Sequence, residues 1–461
     1  MTKTGWAASA AAIALAWGGA AAAQTTPPAP TPDAPAADAP AAEAEPAPEP
    51  PPPPAPPPTI SDQLAAGKLL LEVRTRFEDV DQTRTATLKD AGQAFTVRTR
   101  LGWESADWNG LKALVEFEDV RHLGAERFAV NVPGVATAPL NGAAKSKYPI
   151  INDPDVTELN RAQLTWVTSP ALTLTAGRQR ILLDDQRFVG NVGWRQDEQT
   201  FDGVRADMAL GRFKATYAYV TRINRILGEE KDWHSDSHIF NATWSPAEAL
   251  RLQGFVYALD FDNSLANASL TKGVKASGKT WVGLYQLAYD ATWANQSDHH
   301  HRTAAFDLDY LEASVAGTFD IYTVKLGYEQ LDGNGKRGFT TPLATTHAFQ
   351  GWADAWVSPG GNKSFVDGIK DTNLTFNAKP RFRRTYFFNT DLIARYHDFN
   401  DQRTGADLGH EWDLQATAAI TPKFTVQLKY ADFQREATVP LGTAAPPASR
   451  TKVWLTLEYK L

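Results

Sequence analysis

Arg74 and Arg76, then Arg98 and Arg100, stand two residues apart in runs that otherwise alternate apolar and polar side chains. Arg161, Arg178, Arg187, Arg195 and Arg205 follow before the middle of the chain. A guanidinium stays charged and presents a planar fork of donors. A ring of them around a narrow water column would replace part of the hydration of a passing carboxylate. These nine arginines are therefore candidate pore-lining residues, with the constriction expected near the first strands and the segment 181–198. Glu72, Glu78, Glu104, Glu116 and Glu118 share the inward faces, so arginine–glutamate ladders that only brace a lumen are the competing reading.

A second candidate group, His347, Trp352 and Asp354, falls in the segment 331–366, long enough to fold inward as a plug or eyelet. Pinning this loop is the expected role, ahead of contact with solute. Asp332-Gly333-Asn334-Gly335 begins like a calcium loop but lacks the later acidic ligands, and reads as a tight turn. Adjacent histidines on an extended chain point opposite ways, so Asp298-His299-His300-His301 is not expected to form a metal site. No metal and no other cofactor is expected. The absence of cysteine removes thiolate chemistry. No histidine lies in a nucleophile elbow or an HExxH context. A barrel hydrolase, with His238 or His397 as its base, is thus the weaker alternative, and no enzyme activity is expected.

These residues need a scaffold with two different strand faces. Leu69, Leu71, Val73 and Phe77 alternate with Glu72, Arg74, Arg76 and Glu78; Phe95, Val97, Leu101 and Trp103 alternate with Arg98, Arg100 and Glu104. The same period of two recurs to the end of the chain. It predicts strands over 68–80, 93–106, 110–121, 157–168, 171–180, 199–209, 212–222, 236–246, 250–260, 278–285, 286–297, 307–317, 319–330, 367–378, 382–397, 409–420, 423–434 and 450–461. Short connections alternate with long ones such as 122–156, 181–198, 261–277 and 331–366, and this alternation requires 278–297 to be split near Tyr285. Short turns on one rim and long loops on the other describe an all-β, transmembrane antiparallel barrel of about 18 strands, with periplasmic turns and extracellular loops. A soluble sandwich would leave its charged faces bare and has no reason to place Trp103, Trp166, Trp244 and Trp412 at strand ends. In strand 171–180, Leu172, Leu174 and Arg178 share a parity, so Arg178 reaches the lumen only through a bulge.

The 461 residues carry a net charge of −7, which argues against a nucleic-acid binder. Only one apolar run approaches the about 18 residues that a membrane helix needs, and it lies at the N-terminus. Lys3, the run Trp6–Ala23 and Ala21-Ala22-Ala23 form a Sec signal peptide over 1–23. Residues 24–59 hold 16 of the 29 prolines and five acids without Lys or Arg, a composition that cannot bury a core and reads as a disordered periplasmic spacer. It cannot supply the folded plug of an energised transporter. The barrel is assigned to 60–461.

Two stretches carry a family resemblance. One runs from Gly177-Arg178-Gln179-Arg180-Ile181 through Asp185-Gln186-Arg187-Phe188-Val189-Gly190 and Trp194-Arg195-Gln196 to Gln199-Thr200-Phe201-Asp202-Gly203-Val204-Arg205. The other is Gly338-Phe339-Thr340-Thr341-Pro342 continuing through His347-Ala348-Phe349-Gln350-Gly351-Trp352-Ala353-Asp354. Both resemble signatures of the alginate export family of outer-membrane barrels. The resemblance implies an 18-stranded monomeric barrel in the outer membrane of a Gram-negative bacterium, surrounded by lipid and lipopolysaccharide. It also implies an arginine-lined passage for anionic solutes such as sugar acids or polyuronate; relatives that act as general porins make a non-selective pore the alternative. The spacer is expected to contact periplasmic material such as peptidoglycan, and nucleic acid is not an expected partner.

Overall fold

The computed structural model describes residues 59, 61, 65–84, 89–124, 126–131, 139–300, 304–357, 365–382, 387–436 and 446–461. The expected signal peptide, all of the spacer except Thr59, and His301 lie outside the described residues. The chain forms 18 strands: β1 Lys68–Gln82, β2 Ala91–Glu104, β3 Leu111–His122, β4 Val156–Ser169, β5 Leu172–Gln179, β6 Thr200–Leu210, β7 Phe213–Asn224, β8 Trp233–Ala247 and β9 Leu250–Leu259. The second half holds β10 Ser269–Val282, β11 Tyr285–Ser297, β12 Asp307–Phe319, β13 Tyr322–Asp332, β14 Gly368–Ala378, β15 Phe388–Asp401, β16 Asp407–Thr421, β17 Phe424–Arg435 and β18 Arg450–Lys460. Each strand pairs antiparallel with its neighbour in sequence, and β1 pairs with β18, so the sheet closes with no free edge.

The break near Tyr285 is present as the turn at Gly283 between β10 and β11. Two strands differ most from expectation. β10 begins at Ser269 rather than 278, and β15 runs Phe388–Asp401 rather than 382–397. In both extra pieces polar outward residues, Lys272 and Asn400, interrupt the apolar alternation. Asn109 and Gly110 have φ of 52° and 83°, the two left-handed positions of a tight hairpin turn between β2 and β3.

The outward face is apolar: Phe117, Leu164, Val204, Val274 and Leu428 are all exposed on it. Trp166 and Trp244, about half exposed, join Trp281, Tyr285 and Tyr322 in an aromatic girdle at the short-turn rim; Trp412, equally exposed, lies nearer the opposite end of β16. The core lies inside the barrel. Phe339, Leu343, Trp352 and Trp356 of the loop 333–367 pack against Phe201, Ile239, Tyr310, Phe399 and Phe433 of the wall. The long loop is therefore a filler of the lumen, and its apolar residues are buried in place of a conventional core.

Candidate solute passage

Two loops meet inside the barrel. The loop 180–199, between β5 and β6, touches the loop 333–367 through a parallel bridge between Val189 and Leu343. Gly190 N–H donates to the Leu343 carbonyl at 2.8 Å and Thr345 N–H to the Gln186 carbonyl at 3.0 Å. Gly190 permits this approach, because a Cβ there would collide with Thr345 Oγ1. At Gly351, with φ 76°, a Cβ would collide with the carboxylate of Glu411, which also accepts the Ala353 N–H.

Most of the predicted arginines hold the first of these loops. Arg74 Nη1 donates to the carbonyls of Gly193 and Arg195 at 3.0 and 3.1 Å, and its Nε to Glu458 at 3.1 Å. Arg76 donates to the Trp194 carbonyl at 2.6 Å and lies 4.0 Å over the Trp194 ring. Arg98 reaches the Gln196 carbonyl at 3.3 Å and is paired with Glu72 and, at 3.7 Å, with Glu118. Arg100 binds Glu118 and, at 3.3 Å, Glu198. Arg161 grips Glu116 with both arms of its fork at 2.8 and 2.7 Å. From the loop itself, Arg195 reaches Glu78 at 2.9 Å and Arg187 reaches Glu329 at 2.5 Å. Arg205 pairs with Asp207 at 2.7 Å below the loop.

The bracing alternative thus accounts for much of the arginine set. Arg178 departs from expectation altogether. The β4–β5 and β5–β6 registers run without a shift past Arg178, so it keeps the outward parity of Leu174 and pairs with Asp202 at 2.8 and 3.0 Å. No bulge turns it into the lumen.

The carboxyls of two neighbouring acids in the loop 180–199 are shifted in opposite directions. Burial, then Glu118 and Glu158, push the Asp197 carboxyl well above its ordinary value. Burial opposes ionisation of Glu198 as well, but Arg100, Arg180 and Asn160 together hold its carboxyl down at about 2.

His347, Trp352 and Asp354 do come together. His347 Nδ1 lies 3.0 Å from Asp354 Oδ2, and its ring stacks on Trp194 at 4.0 Å with a 1° interplanar angle. Lys429 Nζ completes the group, 2.8 Å from His347 Nε2 and 3.6 and 4.1 Å from the Trp352 and Trp194 centroids. Trp454 stands edge-on to both Trp194 and His347. Lys429 and Trp454 were not among the expected site residues. Strand parity points to both, since Leu428 and Leu455 beside them face lipid. The Gly333-Asn334-Gly335 stretch enters a tight turn between Gly333 and Gly338, with Asn334 N–H donating to the Arg337 carbonyl at 3.0 Å. No metal-holding cluster of His, Asp or Glu occurs among the described residues. His300 instead pairs with Asp260 at 2.8 Å.

Open space remains on both sides of Trp194. A cavity of about 570 Å³ lies among the long loops and is lined by Trp194, Arg195, Arg225, Trp233, His347, Arg450 and Lys452. One of about 220 Å³ lies on the other side of Trp194, against Arg74, Arg76, Thr417 and Glu458. A third, of about 890 Å³, opens toward the short-turn rim beneath Leu182–Asp185 and is lined by Lys214, Arg251, Lys275 and Lys325 as well as Asp184 and Asp290. A closed barrel, inward loops and charged cavities along the lumen make a channel.

Residues 68–332 match the family model described as alginate export. The chain belongs to the alginate export family. Solved structures of outer-membrane barrels share the fold of this chain. OccAB4 of Acinetobacter baumannii is 13% identical with a TM-score of 0.65, covering 87% of this chain and 99% of that one. OccK9 (OpdG) of Pseudomonas aeruginosa is 13% identical with a TM-score of 0.65, covering 87% and 100%. OpdK of Pseudomonas aeruginosa, crystallised with vanillate, is 15% identical with a TM-score of 0.63, covering 86% and 99%. Comparison with curated protein sequences gave no match. Family and fold place this alginate-export barrel in the Gram-negative outer membrane, as a channel for small solutes rather than an enzyme.

Proposed function

We propose that the channel passes small anionic solutes, sugar acids or short polyuronates, through the passage beside Trp194. The observation that carries this reading is the charge on the wall formed by β17, β18 and β1. Arg74, Arg76, Lys429, Arg450 and Lys452 face inward there, against Glu72, Glu78 and Glu458. A cationic excess where water narrows raises the local concentration of anions and lowers that of cations. The 890 Å³ cavity likewise has more Lys and Arg than carboxylates on its lining. OpdK, with the same fold, was crystallised with vanillate, a carboxylate, which agrees in sign.

A second reading, a weakly selective general porin, is favoured by the neutralised pairs. Arg98, Arg100, Arg161 and Arg187 each already face a glutamate. The reversal potential in a planar bilayer under a KCl gradient separates the two. Anion preference, together with faster swelling in glucuronate of liposomes that carry the barrel than of protein-free liposomes, supports the first; equal permeability of K⁺ and Cl⁻ supports the second. The same reading has residues 1–23 direct export and residues 24–59 reach periplasmic material such as peptidoglycan. It has the barrel act as a monomer among lipid and lipopolysaccharide.

A further inference from the structure

His347 stands in the turn Thr346–Ala348 of the loop 333–367, with both ring nitrogens engaged. Nδ1 lies 3.0 Å from Asp354 Oδ2, and Nε2 lies 2.8 Å from Lys429 Nζ on β17. An ammonium offers donors and no acceptor, and an imidazolium donates from both nitrogens. The contact between Nε2 and Nζ therefore exists only while one of the two lacks a proton. The pair then carries one positive charge, which Asp354 faces. A second proton would set two cations 2.8 Å apart with no hydrogen bond between them.

The surrounding charges do not absorb that proton. Asp354 is already approached by Arg195 and Lys452, each at 3.6 Å, and faces Arg450. Glu78 on β1 is shared by Arg195 and Lys452. Asp413 on β16 faces Lys429, but it also accepts the Trp352 N–H and lies 3.4 Å from His397. Glu411 accepts the Ala353 N–H and faces Arg450. Arg76 on β1 and Arg395 on β15 add positive charge around Lys429.

We propose that acid opens this channel, with His347 and Lys429 as the sensor. A proton entering the pair breaks the contact between Nε2 and Nζ, and His347 swings off the indole of Trp194, on which it lies flat at 4.0 Å. The indole alone would hold an imidazolium; Lys429 is what makes the second proton intolerable. The loop backbone stays in the lumen, because Asp413 and Glu411 hold the N–H groups of Trp352 and Ala353. Trp194 lines both the 570 Å³ and the 220 Å³ cavity, and His347 lines the first, so a side-chain swing at this point joins the two spaces. The proposal goes beyond the anion-channel reading and does not need it, since opening is independent of the solute's charge. Proton linkage gives its sign and size. The seated pair holds one proton and the displaced pair two once its imidazole, now in water, is charged. The ratio of open to closed channels therefore rises as pH falls, by at most about tenfold per unit, within the range of about 5–8 where imidazoles titrate.

Single-channel recordings of the whole chain in planar bilayers, with pH stepped from about 8 to about 5 on the long-loop side, read the open fraction directly. It is expected to rise with acid, by up to about tenfold per unit. His347→Gln keeps a donor for Asp354 and an acceptor for Lys429 but cannot titrate, and its open fraction should stay constant. Lys429→Met removes the repulsion and leaves Asp354 to hold the imidazolium, so its open fraction should not rise with acid. Liposomes carrying the unmodified barrel should swell faster in glucose at about pH 5 than at about pH 8, a check that needs neither a variant nor a charged solute. An open fraction of the unmodified barrel that is flat across this range overturns the proposal. So does acid opening that persists in His347→Gln, which would assign the titration to another group, His397 first.

Discussion

Replacing Arg76 by lysine isolates what the guanidinium does for the loop 180–199. Arg76 is 2% exposed; its Nη1 donates to the Trp194 carbonyl at 2.6 Å, its Nε to Thr456 at 3.2 Å, and its plane lies 4.0 Å over the indole. A hydrogen bond from a charged donor contributes about 1.5–3 kcal/mol, and a desolvated cation–π contact about 0.5–2 kcal/mol. The substitution keeps the charge but removes the fork, so about 3 kcal/mol of loop seating is expected to go. At about 1.4 kcal/mol per tenfold, the ratio of displaced to seated loop rises about a hundredfold. Arg74 still holds Gly193 and Arg195, so displacement remains transient. Single-channel recordings should show brief upward steps in conductance that the unmodified barrel lacks, with ion selectivity retained. Arg76→Met should show the same steps and a loss of anion preference. Traces of Arg76→Lys identical to those of the unmodified barrel would refute the clamp.

Gly351→Ala places a methyl group against Glu411 at a positive φ and is expected to dislodge the loop 333–367, read out as new protease cleavage within it. Glu198 has a carboxyl lowered from 4.5 to about 2, so the stability it lends is complete above about 4.5 and lost as pH falls through about 2; open-channel noise should rise across that window. Asp197 is shifted the other way, so its ionised form strains the folded loop as pH rises through the raised value. Asp197→Asn should therefore make the loop quieter in alkaline solution, as measured in the same recordings. Phe117→Arg, in the middle of the lipid face of β3, is expected to cost about 2–4 kcal/mol in folding titrations into lipid vesicles, while leaving the pore unaltered.

The wall was legible because each strand writes its lipid face as alternate apolar residues, as in Phe95, Val97 and Leu101. The signal faded at Thr271–Ser277 and Asp398–Asp401, where polar outward residues, Lys272, Asp398 and Asn400, interrupt the apolar alternation. Arg178 shows that a shared parity was itself the answer: no bulge rescues it, and Asp202 meets it on the outer side. The lumen charges were legible as types but not as partners. Arg195 and Glu78 are 117 residues apart, and Arg187 and Glu329 are 142 apart, so no local pattern links them. Lys429 and Trp454 lay on faces that alternation had already assigned to the lumen, but neither belonged to the arginine and loop motifs that drew attention. The loop 333–367 was readable as a plug because its length and aromatic content exceed what a surface turn requires.

The loop 180–199 is anchored on distant parts of the wall. Asp184 accepts from Asn241 on β8 at 2.8 Å and Gln253 on β9 at 2.5 Å, while Arg195 and Glu198 reach β1 and β2. In mechanical language it is a tie-rod across a hoop. The soft deformation of a hoop is ovalisation, and a rod fixed at both ends resists that mode most. The bore of this barrel should then be insensitive to lateral squeezing by the surrounding lipid. Its unit conductance should stay constant between thin and thick bilayers, and become thickness-dependent once Asp184 is replaced by alanine.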